Sequence, residues 1–202
     1  DGGDIVNLTN SADVAEVAPR WSPDGRTIAL NVKTKTGTQS DLALLDWASR
    51  KIRHLTHESA PDRSWRSVAW SADGKTLYAN RTEVAASDGD VFWSDVATGK
   101  STNLTPHQGN VLHVASALSP DGKSLLISSN AKGGYQNVAL LDIATGRLTW
   151  VTDTRWEANA GDFSPSGRSL TYTLNADGRS DVYEVDIATL RAEKLPLKAG
   201  IN

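Results

Sequence analysis

Short apolar runs return along this chain at a regular interval. They read Ile28-Ala29-Leu30, Leu77-Tyr78-Ala79, Leu125-Leu126-Ile127 and Leu170-Thr171-Tyr172. Each follows a polar turn phrase: Ser22-Pro23-Asp24-Gly25, Ser71-Ala72-Asp73-Gly74, Ser119-Pro120-Asp121-Gly122 and Ser164-Pro165-Ser166-Gly167. Successive copies of the phrase start 49, 48 and 45 residues apart. A large apolar residue stands just before each one, at Trp21, Trp70, Leu118 and Phe163. Further along each copy a polar-apolar stretch closes on Asp: Asp41 to Asp46, Asp90 to Asp95, Asn137 to Asp142 and Asp181 to Asp186. Ala48, Ala97, Ala144 and Ala188 follow two residues later, and the copies end on Leu55-Thr56, Leu104-Thr105, Val151-Thr152 and Leu195-Pro196. A fixed period of this size marks a repeat architecture.

Each copy reads as four short antiparallel strands. Pro presets φ in the first turn, Asp tolerates the tight geometry, and Gly accepts positive φ without steric cost. The second turn is clearest in Ala97-Thr98-Gly99-Lys100 and Ala144-Thr145-Gly146-Arg147. Short strands between regular turn signals predict an all-β protein, and no stretch keeps a helical apolar period. One four-stranded unit cannot bury both its faces, so the units must stack, and radial stacking gives a β-propeller. The predicted fold is a β-propeller fragment of four four-stranded blades plus one strand of a preceding blade. Residues 1–9 supply that leading strand, because Gly3 aligns with Gly99 and Leu8 with Leu104. The blades are predicted at 10–56, 57–105, 106–152 and 153–202 (the last with a polar tail), within one incomplete propeller domain.

Composition narrows the picture. The net charge is -3 with 22% charged residues, so no nucleic-acid partner is expected. The densest basic cluster, Arg50, Lys51, Arg53 and His54, reads as a solvated strand edge. No apolar run reaches transmembrane length, and no membrane partner is expected. With no cysteine, disulfides, thiolate metal sites and a cysteine nucleophile are excluded. Absence of cysteine does not separate compartments; a periplasmic or secreted location is favoured over a cytoplasmic one.

The search for chemistry returns little. No Gly-x-Ser-x-Gly pentapeptide exists; Ser164, after Gly161-Asp162-Phe163, is the repeat serine and reads as a hairpin cap. His54, His57, His107 and His113 lack ligand spacing, and the neighbours His57-Glu58 would point to opposite faces of a strand. The acidic loops Asp88-Gly89-Asp90 and Asn175 to Asp181 offer too few oxygens for calcium. No catalytic residue, metal or cofactor is therefore expected in this chain. Of the seven tryptophans, Trp21, Trp70 and Trp93 are expected to pack between blades. Trp65 and Trp156-Glu157 fall off the common pattern where an innermost strand begins, close to Arg63, Arg66 and Arg155. Such segments lie near one mouth of a propeller channel. Trp65, Arg66, Arg155, Trp156 and Glu157 are the candidate contacts for a peptide terminus or partner, with structural capping as the competing reading. The acceptor pattern for N-glycosylation occurs at Asn7, Asn80 and Asn103, but two of these copies are simply the repeat's Leu-Thr strand end.

The phrase Trp21-Ser22-Pro23-Asp24-Gly25-Arg26-Thr27-Ile28-Ala29-Leu30, with Asp-x-Ala-Thr-Gly-Lys and a closing Leu-Thr, resembles TolB-like propeller repeats. The same repeats form the N-terminal propeller of prolyl oligopeptidase family serine peptidases. The stretches 1–9 and 17–25 look most like the bacterial dipeptidyl-peptidase and acylaminoacyl-peptidase type. Ala72, Ser166 and Leu190 depart from the repeat. The resemblance implies a C-terminal α/β-hydrolase domain as partner, carrying the catalytic residues, and peptide substrates gated by the propeller. A TolB-like periplasmic binding module is the alternative, and an enzyme with its site in the propeller channel a third reading. Self-association is also expected, through apolar blade faces carrying Ile28, Leu30, Leu42 and Leu44 at one end and Leu170, Tyr172, Val182 and Val185 at the other.

Overall fold

The computed structural model describes residues 3–197, and every regular element among them is a β-strand. The strands come in four successive groups. The first holds β1 (Val14–Trp21), β2 (Thr27–Thr34), β3 (Ser40–Asp46) and β4 (Ile52–His54). The second holds β5 (Arg63–Trp70), β6 (Thr76–Glu83), β7 (Gly89–Asp95) and β8 (Ser101–Asn103). The third holds β9 (His113–Leu118), β10 (Ser124–Ser129), β11 (Asn137–Asp142) and β12 (Leu148–Trp150). The fourth holds β13 (Glu157–Phe163), β14 (Ser169–Ala176), β15 (Arg179–Asp186) and β16 (Ala192–Lys194). The last two groups are separate four-stranded sheets, β12-β11-β10-β9 and β13-β14-β15-β16. The first two join in one sheet, β1-β2-β3-β5-β6-β7-β8 with β4 on β3, where β3 meets β5 at a single parallel pair, Ser40 and Ser64. The chain divides into two compact units. One runs to Ala85 and takes in Trp93–Thr102; the other takes in Ala86–Phe92 and the chain from Asn103 onward.

The repeat residues build the same local structure each time. In the first turn Gly25, Gly74, Gly122 and Gly167 sit at φ of 67°, 69°, 71° and 68°. Their amides donate to the carbonyls of Ser22, Ser71, Ser119 and Ser164. The serine hydroxyl accepts the amide five residues on, at 3.0 Å for Thr27 and 2.9 Å for Thr76. It donates to the turn aspartate, at 2.6 Å from Ser22 to Asp24. The serine is thus a hairpin clasp, as its phase in the repeat suggests. In the second turn Asp46, Asp95, Asp142 and Asp186 accept both the amide and the hydroxyl of the Ser or Thr three residues later. A third device closes the repeat: Thr56 donates to Asp41, Thr105 to Asp90 and Thr152 to Asn137, each at 2.9 Å. The same hydroxyls accept the amides of Leu42, Val91 and Val138. In the fourth copy Pro196 has no hydroxyl, and Asp181 instead pairs with Lys194 at 2.7 Å.

Polar links also run from one group to the next inside each unit. Buried Asn31 on β2 accepts the Ser67 amide and hydroxyl at 3.1 Å and donates to the Trp65 carbonyl. At the matching place on β10, Ser128 accepts the Ala160 amide of β13 at 2.9 Å. Around these links lie apolar cores. Ala117, Leu126, Val138, Ala158, Leu170, Tyr172 and Val185 form one in the second unit, while Ile28, Leu30, Val32, Ala43 and Leu45 form one in the first.

Three expectations change here. The apolar residues assigned to open blade faces are not exposed: Ile28, Leu30, Leu42, Leu44, Leu170, Tyr172 and Val185 are buried, and Val182 is half-buried. Leu8, Val14 and Ile52 pack against the core that holds Ile28 and Leu30. In the fourth sheet the apolar side of the alternation joins the core, leaving Thr171, Thr173, Glu184 and the half-buried Val182 on the opposite face, where residues two apart must fall. Of the residues expected to offer apolar faces for self-association, Val182 is the one that is not buried. The described part of the predicted leading strand, residues 3–9, is not a strand, and residues 1–2 lie outside the described residues. Residues 3–10 form no strand, and Ile5 and Val6 are exposed, because an extended segment becomes a strand only where its amides and carbonyls find an edge to pair with. Leu8 of that segment packs against the core of the first group. Finally, Trp21 does not pack between groups: it is 51% exposed, with Trp47 edge-on at 5.0 Å.

Candidate functional site

In the first unit the off-pattern residues gather round Glu58, two places beyond the closing Thr56. The Asp41 latch fixes it, accepting the Glu58 amide at 2.6 Å. The side chain of Glu58 is 4% exposed and fully used. One oxygen accepts Trp65 Nε1 at 2.9 Å and Arg81 Nε at 2.7 Å; the other accepts Arg81 Nη2 and the Ala60 amide, both at 3.0 Å. This two-pronged Arg81 contact holds the carboxyl down at about 2, with the Ala60 and Trp65 donors helping against burial. Beside it Arg63 pairs with Glu83 at 3.2 Å across β5 and β6. Trp65 is buried with its N–H committed, so it props this ion pair, while Arg66 beside it is exposed.

In the second unit the residue two places beyond Thr105 is His107. Its Nε2 lies 3.5 Å from Asp90 and 3.8 Å from Asp88. The ring of buried His113 sits 5.5 Å away. Both nitrogens of His107 and Nδ1 of His113 are shielded from solvent without a hydrogen-bond partner. Burial pushes the His113 imidazole down, and the neighbouring His107 adds to this. A histidine between two carboxylates has the outline of a general base. The nearest repeat hydroxyl, Thr105, is spent on Asp90 and the Val91 amide, however, so it offers no free nucleophile. Among the described residues no group of three or more His, Asp or Glu is placed to hold a metal ion.

The remaining candidates lie at the start of β13. Arg155 and Trp156 are exposed, and Glu157 accepts the Gln136 amide at 3.1 Å. The five candidates therefore divide between the two units. The sequence reading missed Arg81, the cationic half of the Glu58 pair, and the His107 cluster. The available signal was positional: Glu58, His107 and Thr154 all stand two residues past the closing threonine.

Comparison with known proteins agrees with this repeat geometry. The chain is 29% identical over 163 residues to the uncharacterized peptidase YuxL of Bacillus subtilis, covering 81% of this chain and 22% of that protein. It is 28% identical over 127 residues to the Tol-Pal system protein TolB of Francisella tularensis, covering 62% of this chain and 28% of that one. Among solved structures it superposes on a putative dipeptidyl aminopeptidase IV from Bacteroides ovatus with a TM-score of 0.70 at 15% identity, over 92% of this chain and 35% of that one. The chain thus spans less than a third of the length of these two sequence relatives. The family model for the TolB beta propeller domain matches residues 5–202, and the chain belongs to that family.

Proposed function

We propose that this chain is the non-catalytic propeller of a prolyl oligopeptidase family serine peptidase, covering the active site of an α/β-hydrolase domain and gating peptide substrates. The observation that carries this reading is the peptidase likeness, which extends over 81% of the chain. The side chains are consistent with a structural role, since the buried carboxylate of Glu58 is saturated by Arg81, Trp65 and Ala60. The four blades are 10–56, 57–105, 106–152 and 153–202, the eight-stranded sheet being two blades bridged at Ser40 and Ser64. Substrate or partner contact falls to the exposed Arg66 in the first unit and, separately, to the exposed Arg155 and Trp156 with the adjoining Glu157 in the second; Trp65 supports Glu58 instead.

A fluorophosphonate probe should label the intact protein at one serine downstream of Asn202 and leave the 202-residue chain unlabelled. Stoichiometric labelling of any serine within the chain would refute the reading. The likeness to TolB supports a second reading, a binding module that docks proteins on a propeller face. An intact protein that resists the probe and has no Gly-x-Ser-x-Gly beyond Asn202 favours that reading.

A further inference from the structure

The two units fill the same place in the repeat differently. In the first, Trp65 faces Arg81 across β5 and β6, and both donate to Glu58, two residues past the closing threonine. In the second, the same register positions hold His113 on β9 and Ser129 on β10, and the residue past the threonine is His107. No arginine stands where Arg81 stood. Both nitrogens of His107 and Nδ1 of His113 are left buried without a hydrogen bond. These groups belong to one unit and lie in the middle of the chain.

Two carboxylates face the pair from the start of β7. Asp90 and Asp88 lie 3.5 and 3.8 Å from His107 Nε2, too far for a hydrogen bond and near enough for a small turn of the ring to make one. Asp90 already accepts the Thr105 hydroxyl, and a carboxylate has room for a second donor. The charged and titratable groups acting on His113 are His107, Asp90 and Asp88. Its neighbour on β10 is the uncharged Ser129. β13 packs along β9, but its Glu157 is spent on the Gln136 amide and its Asp162 is exposed at the strand's other end. Burial and the His107 ring oppose a charge on His113, and two protonated rings would set like charges 5.5 Å apart. We propose that His107 and His113 form a one-proton switch: on acidification His107 takes a proton from solvent and closes onto Asp90 and Asp88, tying the chain after β8 to the start of β7, while His113 stays neutral. It is the conditional counterpart of the Arg81–Glu58 pair, with a borrowed proton in place of the guanidinium.

Amide hydrogen exchange of the protein tests this, read at about pH 7.5 and 5.5 and corrected for the intrinsic pH dependence of exchange. The Gly89 amide donates to the Val111 carbonyl and the Val91 amide to the Thr105 hydroxyl. In the wild type both should exchange about tenfold more slowly at the lower pH, the effect of one charge-assisted hydrogen bond. Leu42, which holds the place of Val91 in the first unit, should keep its corrected rate. His107→Gln should abolish the gain, Asp88→Asn should cut it to about threefold, and His113→Gln should leave it. Circular dichroism checks that each variant keeps its strands, and Asp88→Asn, which retains both rings, carries the test if His107→Gln unfolds. Equal protection of Gly89 and Val91 at both pH values would overturn the proposal. So would a gain that survives His107→Gln or is untouched by Asp88→Asn, or one that His113→Gln removes.

Discussion

At the residue scale, Glu58 and Thr105 carry the clearest consequences. Glu58 titrates near 2 against an ordinary value of 4.5. A depressed carboxyl gives stability that is fully present above 4.5 and lost as pH falls toward 2, because the unfolded chain then binds the proton first. The difference is worth roughly 3 kcal/mol at most. Urea unfolding of wild type and Glu58→Gln should therefore differ most at neutral pH and converge below pH 3. His113 works at higher pH with the same sign. Its imidazole is held down by burial, so its contribution is complete above about 6.5 and shrinks as the solution is acidified through that point. His113→Gln should flatten the stability profile between about pH 5 and 7. Thr105→Val keeps the shape but strips the Val91 amide and Asp90 of their shared partner. It should cost about 1–3 kcal/mol in the same assay.

At the scale of elements, the turns set the register and the bulges bend the first strands. A register shift recurs in β1, β5, β9 and β13, on the strand that follows each closing phrase. The second turn needs a left-handed residue, and Gly99 and Gly146 supply it at φ of 76° and 71°. Arg50 and Leu190 hold the same place at 59° and 57°, where a side chain crowds the following carbonyl. Leu190→Gly should therefore raise stability by about 0.5–1 kcal/mol, the relief exceeding the entropy that glycine adds to the unfolded chain. Differential scanning calorimetry should show a higher midpoint. An unchanged or lower midpoint would mean that the contacts of the Leu190 side chain outweigh the strain. The departure was visible in the sequence as a missing glycine, but its φ was not. At this scale too, Ile5 to Leu8 has strand-like residues but forms no strand among the described residues, because strand formation needs a paired edge as well as suitable residues.

At the scale of the whole molecule, repetition makes the cores shared property of neighbouring sheets. Leu126 belongs to the third sheet and packs with Leu170, Tyr172 and Val185 of the fourth. Leu126→Ala should cost about 2–5 kcal/mol and loosen both sheets together. Hydrogen exchange should show the amides of β10 and β14 losing protection in parallel; loss confined to β10 would count against a shared core. The sequence by itself determined the all-β class, the four repeat copies, the turns and the serine clasp. These rest on interactions within a few residues, where spacing and residue type are enough. It also marked Trp65 as off-pattern. Only the tertiary structure decided that Trp65 is a buried prop for Glu58 and Arg81, that the apolar faces are covered, and that Trp21 is bare. Alternation along a strand tells which residues share a face, whereas what lies opposite that face depends on partners far along the chain. Arg81 sits 23 residues from Glu58, a pairing that no local pattern encodes.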